Sequence, residues 1–291
     1  ASLDAVNKIA SVLGIDPVVA TLLYNRGYQD PSSAMSFLKM EREMLRNPFD
    51  LMDMDKGVDR LIRAIREKEK ITVYGDYDVD GVTAVCTLYL YLKSKGCKVD
   101  YYIPNRSGEG YGVSCAAIDT IKASGTSLIV TVDTGITATL EVEYAKTIGV
   151  DFIVTDHHEC KDELPAACAV VDPHRPDGGY PHKNLSGVGV AFKLAAALCG
   201  DQEEVLRDYA DMVCLGTVAD VMLLQGENRT FVTRGLQILR NTQRPGLAAL
   251  MHQSGCEPSA VAASSVGYML SPRINAAGRM GQIDLAIQLF L

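Results

Sequence analysis

Three aspartates at alternating positions dominate the segment Gly75–Thr83, which reads Gly-Asp-Tyr-Asp-Val-Asp-Gly-Val-Thr. Asp76, Asp78 and Asp80 can each offer a carboxylate oxygen, the ligand that hard divalent cations prefer. The spacing also matches the first six positions of a calcium-binding EF-hand loop. That loop requires a glutamate at its twelfth position, where this chain has Thr87, and a helix before it, where this chain has a short strand-like run. The segment therefore predicts a metal site that is not an EF-hand.

Three further acidic motifs follow later in the chain. Asp133 stands in Val-Asp-Thr-Gly, the segment 155–159 reads Thr-Asp-His-His-Glu, and Asp220 is the single acid of the apolar stretch 212–224. Imidazole beside several carboxylates suits manganese, iron or zinc better than calcium. Each motif also has an ordinary interpretation, since strand-end aspartates often cap helices or turns and adjacent histidines can be solvated in a surface loop. A buried unpaired carboxylate is costly, however, so Asp220 needs a partner, for which a cation is suitable.

The elements that would position these motifs begin at residue 71. From there, short β-branched runs alternate with longer helical segments, a pattern typical of a parallel sheet with helices on both faces. Acids directly follow three of these runs, and ligands bind at the carboxyl ends of the strands in open α/β sheets. We therefore expect motifs that are far apart in sequence to meet at one edge of the sheet. The predicted strands are residues 71–74, 99–103, 128–132, 152–154 and 169–171.

The chain is predicted to contain two parts. Residues 1–68 are expected to form a helical segment packed on the core, with one helix beginning at Pro31 after Asp30 as its N-cap. Residues 69–291 are expected to form the catalytic domain, which is parallel α/β to about residue 185 and mostly helical beyond it. Because the chain opens on Ala1 and stops inside an apolar run, we interpret it as a fragment of a longer protein.

The composition excludes some classes of protein. The 291 residues are 47% hydrophobic and 22% charged, which gives ample material for a folded core, and no apolar run approaches the ~18 residues of a membrane span. The eight cysteines form no Cys-x-x-Cys pair, which predicts reduced thiols in a cytoplasmic protein rather than disulfides or a zinc site. The net charge of −8 is unlike the basic surface of a nucleic-acid binder. Bound cations can reverse the local sign, so the charge does not decide for or against a phosphate-bearing substrate.

Together, the four motifs resemble those of the DHH phosphoesterases, a superfamily named after the triplet that stands here as Asp156-His157-His158. The GDYDVDGVT form of the first motif resembles the RecJ family within it, whereas family II pyrophosphatases carry a histidine before D-x-D. The resemblance covers essentially the whole chain, without the C-terminal DHH-associated and oligonucleotide-binding domains of full-length RecJ proteins. Further RecJ-like segments are Arg26-Gly27, Ser186–Lys193, Glu227-Asn228-Arg229 and Pro272–Arg279.

The resemblance implies a catalytic centre with two divalent cations, Mn²⁺ or Mg²⁺. Asp78 would bind one metal and Asp80 the other, with Asp133 bridging both. His157 and Asp220 would complete the shell of the second metal. Two such cations can activate water and stabilise the attacking and leaving oxygens of a phosphate ester.

Three more residues receive roles from the resemblance. Asp76 would ligate the first metal or orient water on it, and Asp156 would orient a histidine from outside the metal shell. His158 would approach the scissile phosphate.

The implied reaction is hydrolysis of single-stranded DNA from the 5′ to the 3′ end, releasing 5′-mononucleotides in DNA repair and recombination. Single-strand-binding protein and a helicase are the implied protein partners. One alternative is a DHH phosphodiesterase of short oligoribonucleotides or cyclic dinucleotides, which a chain-length series of substrates would identify. The other is a non-catalytic replication scaffold, against which retained metal would count.

Candidate substrate contacts lie outside the ligand motifs. Small residues opening a predicted helix would let backbone N–H groups approach a phosphate, with helix packing as the equal alternative. Arginines beside glycine-rich segments can clamp a phosphate, with surface salt bridges as the alternative. These candidates are Ser186, Gly187, Gly189, Arg106, Arg273 and Arg279, together with His158.

Overall fold

The computed structural model describes residues 2–39, 45–104, 110 and 112–291. The chain divides into two compact units, Ala1–Leu45 and Arg46–Leu291, called here the first and the second unit. Among the described residues, no helix is long and apolar enough to cross a membrane.

The first unit contains three helices: α1 (Leu3–Leu13), α2 (Pro17–Asn25) and α3 (Pro31–Lys39). Asp30 Oδ1 accepts hydrogen bonds from the N–H groups of Ser32 and Ser33 at 2.9 and 3.0 Å, so the predicted helix start at Pro31 is confirmed. Gly14, with φ +63°, ends α1 in the left-handed conformation that glycine adopts without strain. The helices bury a small apolar core made of Val6, Ile9, Ala20, Leu23 and Ala34.

The second unit is built on a parallel five-stranded sheet with the order β2-β1-β3-β4-β5. The strands are β1 (Lys70–Tyr74), β2 (Lys98–Tyr102), β3 (Leu128–Thr131), β4 (Asp151–Thr155) and β5 (Ala169–Val171). Tyr74 lies opposite Thr131, and Thr131 lies opposite Val154, so the carboxyl ends of the three central strands are level. The predicted parallel sheet is confirmed, with each strand found within one residue of its expected position.

Helices cover both faces of this sheet, as predicted. The helices of the sheet region are α4 (Met54–Glu67), α5 (Val79–Ser94), α6 (Cys115–Ala123) and α7 (Thr139–Thr147). On one face, Tyr74, Ile129 and Phe152 pack against α6 and α7. On the other, Gly57 of α4 lies against Ile153 and Ala169.

The boundary between the two units lies before α4 and not at residue 68, where it was expected. An alanine side chain at Gly57 would lie 3.5 Å from Ala169 of β5 and 3.7 Å from Leu194, so α4 packs closely on the sheet side of the second unit. The first unit therefore ends at residue 45, and α4 belongs to the second.

After the sheet the chain is helical, as expected. At Gly235, a Cβ atom would lie 2.2 Å from the carbonyl oxygen of Ala210, so the helix carrying Gly235 packs directly on the backbone of its neighbour. A π-helical turn at Val266–Leu270 precedes the last two helices. The helices after the sheet are α8 (Gly187–Cys199), α9 (Gln202–Ala219), α10 (Gly226–Leu239), α11 (Pro245–Gln253), α12 (Ala263–Ser265), α13 (Ser271–Arg279) and α14 (Ile283–Gln288).

All eight cysteines are free thiols, in agreement with the absence of a predicted disulfide framework. Cys86, Cys214 and Cys256 are buried, whereas Cys115 is exposed. The eight thiols therefore differ in how exposed they are to solvent.

Candidate metal centre

The first acidic motif forms the turn between β1 and α5. At Gly75 a Cβ atom would lie 2.3 Å from Val85 Cγ2, so only glycine lets the turn pass this close to α5. Asp76 Oδ1 accepts from the N–H of Tyr77 at 2.7 Å. Asp78 is the N-cap of α5, where its Oδ1 accepts from the N–H of Gly81 at 2.9 Å. The strand before this turn confirms that the motif is not an EF-hand loop.

Asp80 lies buried in the first turn of α5 and points its carboxylate at the N-terminus of α8. Its Oδ2 accepts from the N–H of Gly187 at 2.6 Å, and its Oδ1 accepts from the N–H of Val188 at 2.9 Å. The exposed N–H groups and the dipole of a helix N-terminus favour an anion at this place. Two hydrogen bonds therefore fix the orientation of the Asp80 carboxylate.

This arrangement differs from the predicted phosphate contact of Ser186, Gly187 and Gly189. The anion at the start of α8 is the carboxylate of Asp80, because the N–H of Gly187 is already donated to it. The N–H of Gly189 is donated to Ser186 Oγ at 3.2 Å, and Ser186 is buried as the cap of α8. Gly187 thus holds a carboxylate of the site, and the phosphate contact of Ser186, Gly187 and Gly189 stays a prediction.

Asp133 lies two residues after the end of β3 and has an unusual backbone. Its φ of +58° lies in the left-handed region that few residues other than glycine, asparagine and aspartate adopt. Gly187 of α8 packs on its side chain so closely that a Cβ there would lie 2.3 Å from Asp133 Oδ1. Strained backbone of this kind clusters at functional sites, where surrounding structure must hold it in place.

The histidine pair follows β4. Asp156 is buried, and its Oδ2 accepts from the N–H of Ile136 at 2.9 Å, while its Oδ1 accepts from the N–H of His157 at 2.8 Å. The same Oδ1 lies 2.7 Å from His158 Nδ1. Burial acts to raise the pKa of Asp156, but the hydrogen bond from His158 and those from the backbone hold that pKa below its usual value. In return, the hydrogen bond to Asp156 raises the pKa of His158 to about 9.

His157 is the centre of the cluster. Its Nε2 lies 3.0 Å from Asp133 Oδ1, 3.7 Å from Asp220 Oδ2 and 3.8 Å from Asp80 Oδ2. Residues from β3, β4, α5 and the end of α9 therefore meet at the carboxyl edge of the sheet, as the sequence predicted.

Burial of several carboxylates in one place changes their acidity. Loss of solvation raises the pKa of Asp76 to about 6 and that of Asp80 to about 7, and neighbouring carboxylates add to both shifts. The pKa of Asp133 is raised well above its usual value for the same two reasons, burial and then Asp80. Burial also raises the pKa of Asp220. A positive charge among these groups would relieve the repulsion between them.

The donor set fits divalent cations. Asp133 Oδ1 and Asp220 Oδ2 are buried without a hydrogen-bond partner among the described residues. His157 Nε2 stands 3.0 Å from Asp133 Oδ1 but out of hydrogen-bond alignment, as two ligands of one cation do. Carboxylate oxygens with imidazole suit manganese. Three groups have ligand atoms within 4.8 Å of one another: Asp76, Asp78 and Asp133; Asp80, His157 and Asp220; and Asp133, His157 and His158.

The two described arginine candidates, Arg273 and Arg279, lie outside the ligand groups of this cluster. Arg106 lies outside the described residues. Arg273 is exposed and donates to the carbonyl oxygen of Met269 at 2.6 Å. Arg279 is exposed on α13 and forms no ion pair within the part of the chain that the structure describes. A cavity of about 320 Å³ does lie beside His158, lined also by the loop after β3.

Several residues at the site were not predicted. Asn275 Oδ1 accepts from the N–H of Val79 at 3.1 Å, which ties α13 to the first motif. At Gly216, a Cβ atom would lie 2.5 Å from Asp80 Oδ1, so a glycine in α9 is needed beside the carboxylate. Asp172 follows β5, and the rule that acids follow strands could have found it. The sequence signal for Asn275 and Gly216 is weak, because both depend on contacts between distant segments.

Known proteins resemble this chain in sequence and in structure. A sequence profile described as "DHH family, N-terminal domain" matches residues 70–217. The single-stranded-DNA-specific exonuclease RecJ of Bacillus subtilis is 45% identical over 288 residues, which are 99% of this chain and 36% of that protein. The structure of RecJ from Thermus thermophilus in complex with Mn²⁺ is 30% identical, with a TM-score of 0.82 over 100% of this chain and 41% of that one. Its Mg²⁺ complex gives a TM-score of 0.70 at 28% identity, over 99% of this chain and 38% of that one. The chain thus spans less than half the length of these relatives.

Proposed function

The chain belongs to the DHH family, and from this we propose that it carries the catalytic centre of a metal-dependent exonuclease acting on single-stranded DNA. The observation that supports this most strongly is the meeting of five carboxylates and two imidazoles at one edge of the sheet. The name of the Bacillus subtilis relative, a single-stranded-DNA-specific exonuclease, supports the same substrate. The proposed reaction runs from the 5′ to the 3′ end, releases 5′-mononucleotides and serves DNA repair and recombination.

Two cations, Mn²⁺ or Mg²⁺, fit the ligand groups, and structures of a relative contain these two metals. Asp133 would bridge the pair, since its carboxylate belongs to both sides of the cluster. When bound, the cations would supply Lewis-acid activation of water and stabilisation of the attacking and leaving oxygens. The first cation would be held by Asp76, Asp78 and Asp133, and the second by Asp80, Asp133, His157 and Asp220.

His158 is proposed to bind the scissile phosphate. Its side chain is 46% exposed and borders the cavity of about 320 Å³, which offers room for part of a nucleotide. With a pKa of about 9, caused by the hydrogen bond to Asp156, the imidazole is positively charged at neutral pH. Asp156 would therefore orient the ring and maintain its charge without touching the substrate.

Arg279 is the better of the two described arginine candidates for holding the strand. The residue before it, Gly278, packs on the first motif, where a Cβ atom would lie 2.4 Å from the carbonyl oxygen of Tyr77. Its own guanidinium is exposed, whereas that of Arg273 is engaged with the backbone of its own segment. A phosphate bound next to the first motif would therefore lie near Arg279.

The proposal also includes location and partners. A DNA substrate and eight free thiols favour the cytoplasm. Single-strand-binding protein and a helicase are the proposed protein partners, because a single strand is produced and covered by proteins of these kinds. The proposed partners are tested by whether either protein co-purifies with the chain from an extract that has been treated with nuclease.

The test of the proposed function is digestion of a long 3′-labelled single strand by this chain, with Mn²⁺ or with EDTA. We expect Mn²⁺-dependent shortening from the 5′ end, resistance of duplex DNA, and loss of activity as salt increases, because phosphate contacts are salt-dependent. The chain has no tryptophan and a charge of −8, whereas single-strand binders use a positive groove with stacking aromatics. Cleavage is therefore expected to be distributive, so that the whole population shortens gradually when trap DNA is absent and stops when it is added.

Two outcomes would contradict the proposal. Equal digestion in EDTA and in Mn²⁺ would exclude a metal-dependent centre. Cleavage of dinucleotides and cyclic dinucleotides with no cleavage of long strands would instead identify a phosphodiesterase of short substrates.

A further inference from the structure

The carboxylate of Asp220 is held differently from the other acids of the site. Asp76, Asp78 and Asp80 each accept at least one backbone N–H. Within the described ranges, no hydrogen bond reaches the carboxylate of Asp220, and its Oδ2 is buried without a partner. The position of this carboxylate therefore depends on the backbone that carries it.

That backbone leaves α9 through a strained turn. Val221, the next residue, has a φ of +57°, although a β-branched side chain strongly disfavours the left-handed region. Its side chain is 85% exposed, so packing of the valine does not explain this conformation. The N–H of Met222 donates to the carbonyl oxygen of Thr217 at 3.2 Å, which folds the chain back along α9. Such a conformation persists only where surrounding contacts hold it.

Asn228, in the first turn of α10, supplies such a contact. Its side chain is fully buried, and its Nδ2 donates to the carbonyl oxygen of Leu223 at 3.1 Å. The same Nδ2 donates to the carbonyl oxygen of Asn184. Leu223 lies in the loop after Asp220, called here the exit loop (residues 220–225), and Asn184 lies in the loop that enters α8. One amide group thus joins the two loops.

The second of these loops leads to the other side of the metal centre. Two residues after Asn184 comes Ser186, the cap of α8, and the N–H groups of Gly187 and Val188 hold the carboxylate of Asp80. Ser186 Oγ also lies 2.9 Å from Thr217 Oγ1, in the last turn of α9. A short chain of hydrogen bonds through Asn228, Ser186 and Thr217 therefore connects the segments that carry Asp80 and Asp220.

We propose that Asn228 is a positioning residue that sets the distance between Asp220 and Asp80, and thereby the affinity of the cation site that they form with His157. The inference rests on the metal centre of the proposed function. It also explains why the residue is an asparagine. An aspartate of the same shape would oppose two carbonyl oxygens with a carboxylate, and an alanine would leave both carbonyls without this donor.

The experiment is Mn²⁺ titration of the whole chain, followed by electron paramagnetic resonance, for the wild type and for Asn228→Asp. Loss of a partner outside the ligand shell lowers metal affinity by about 10- to 100-fold. We expect that weakening for one of the two Mn²⁺ equivalents, together with loss of the spin-coupled signal of a metal pair. The other equivalent should bind as in the wild type, because the described hydrogen bonds of Asp76 and Asp78 go to their own turn and not to either loop.

The matched control is Val232→Ala. Val232 is buried one turn further along α10 and donates no hydrogen bond to either loop, so this variant loses stability in the same helix without losing the tether. It should bind both Mn²⁺ equivalents with wild-type affinity. If Asn228→Asp does not fold, Asn228→Ala replaces it in the same comparison.

The outcomes separate this inference from the proposed function. A wild type that binds no Mn²⁺ would overturn the metal centre and the inference with it. A wild type that binds two equivalents, with the same two affinities in the Asn228 variant, would leave the proposed function intact and overturn the inference alone. Equal weakening in Val232→Ala would also overturn it, because a general loss of stability would then account for the effect.

Discussion

Asp172 is a further acid at the carboxyl edge of the sheet, and it provides a test of the electrostatics of this region. It follows β5 and is only 2% exposed. Its Oδ1 accepts from the N–H of His174 at 2.7 Å, but its Oδ2 is buried without a hydrogen-bond partner among the described residues. Burial raises its pKa from 3.8 to about 7. Unlike the acids of the metal centre, it belongs to none of the candidate ligand groups found among the described residues.

The sign and size of the effect follow from this shift. Asp172 binds its proton more tightly in the folded chain than in the unfolded chain, so ionisation destabilises the fold. Its contribution is fully present below the unfolded pKa of 3.8 and is lost as the pH rises through about 7. The pKa of Asp172 is raised by about three units, and about two of them lie between pH 5 and pH 7. The corresponding loss of folding stability between pH 5 and pH 8 is on the order of 3 kcal/mol.

The perturbation is Asp172→Asn, which keeps an oxygen for the N–H of His174 but cannot ionise. Its amide nitrogen occupies the place without a partner, at a cost of about 1–3 kcal/mol that does not depend on pH. We therefore expect the stability of the variant relative to the wild type to improve by about 3 kcal/mol from pH 5 to pH 8. The assay is urea unfolding in EDTA at both pH values, which removes any contribution of bound metal.

The control is Asp162→Asn, which makes the same substitution at an exposed position. A difference between Asp172→Asn and the wild type that is the same at pH 5 and pH 8 would refute the reasoning, because Asp172 would then titrate alike in the folded and unfolded chains.

Three further predictions concern the metal centre and the substrate. Asp133→Asn should lower turnover by more than about 100-fold with the fold intact, because asparagine tolerates a φ of +58°; a wild-type rate on labelled DNA would contradict the bridging role. Gly187→Ala should lower Mn²⁺ affinity and reduce the free energy of unfolding in urea by about 1–3 kcal/mol, because its Cβ would lie 2.3 Å from Asp133 Oδ1. Gly189→Ala is the control that should be tolerated, because the atom nearest to its Cβ would be 3.4 Å away. Arg279→Ala should raise KM several-fold with little change in kcat, and more than Arg273→Ala does; equal KM values for the two variants would remove Arg279 from the substrate contacts.

The fold could be predicted from sequence because its signals are local and repeated. Five β-branched runs and the helical segments between them give the parallel sheet, and Asp30 with Pro31 gives a helix start. Once the strands are parallel, their carboxyl ends must share an edge, so Asp133 and Asp156 had to approach each other. The meeting of the three strand-end motifs is thus a consequence of topology, whereas Asp220 comes from the end of helix α9 and its place depends on how that helix packs.

The surroundings of the site could not be predicted in the same way. Ser186, Gly187 and Gly189 were candidates for a phosphate contact, with helix packing as the equal alternative, because a helix N-terminus attracts any anion and the sequence does not reveal which one is present. The structure supplies Asp80, which is more than a hundred positions away in the chain. Asn228 was visible only as part of a family-like segment, since its role depends on two carbonyl oxygens from separate loops.

The acidic composition of the chain limits how the substrate is held, and it does not argue against the chemistry. Two divalent cations would neutralise four of the five carboxylates at the centre, while the imidazolium of His158 is paired with Asp156, so one negative charge would remain where there were five. The formal net charge of −8 includes those five carboxylates, so the rest of the chain carries −3. Among the described candidates, only Arg279 combines a position beside the first motif with an exposed, unpaired guanidinium. The binding of a long strand must therefore rely on few contacts, each screened by salt. We therefore expect the proposed cleavage to be distributive even if the metal centre is fully formed.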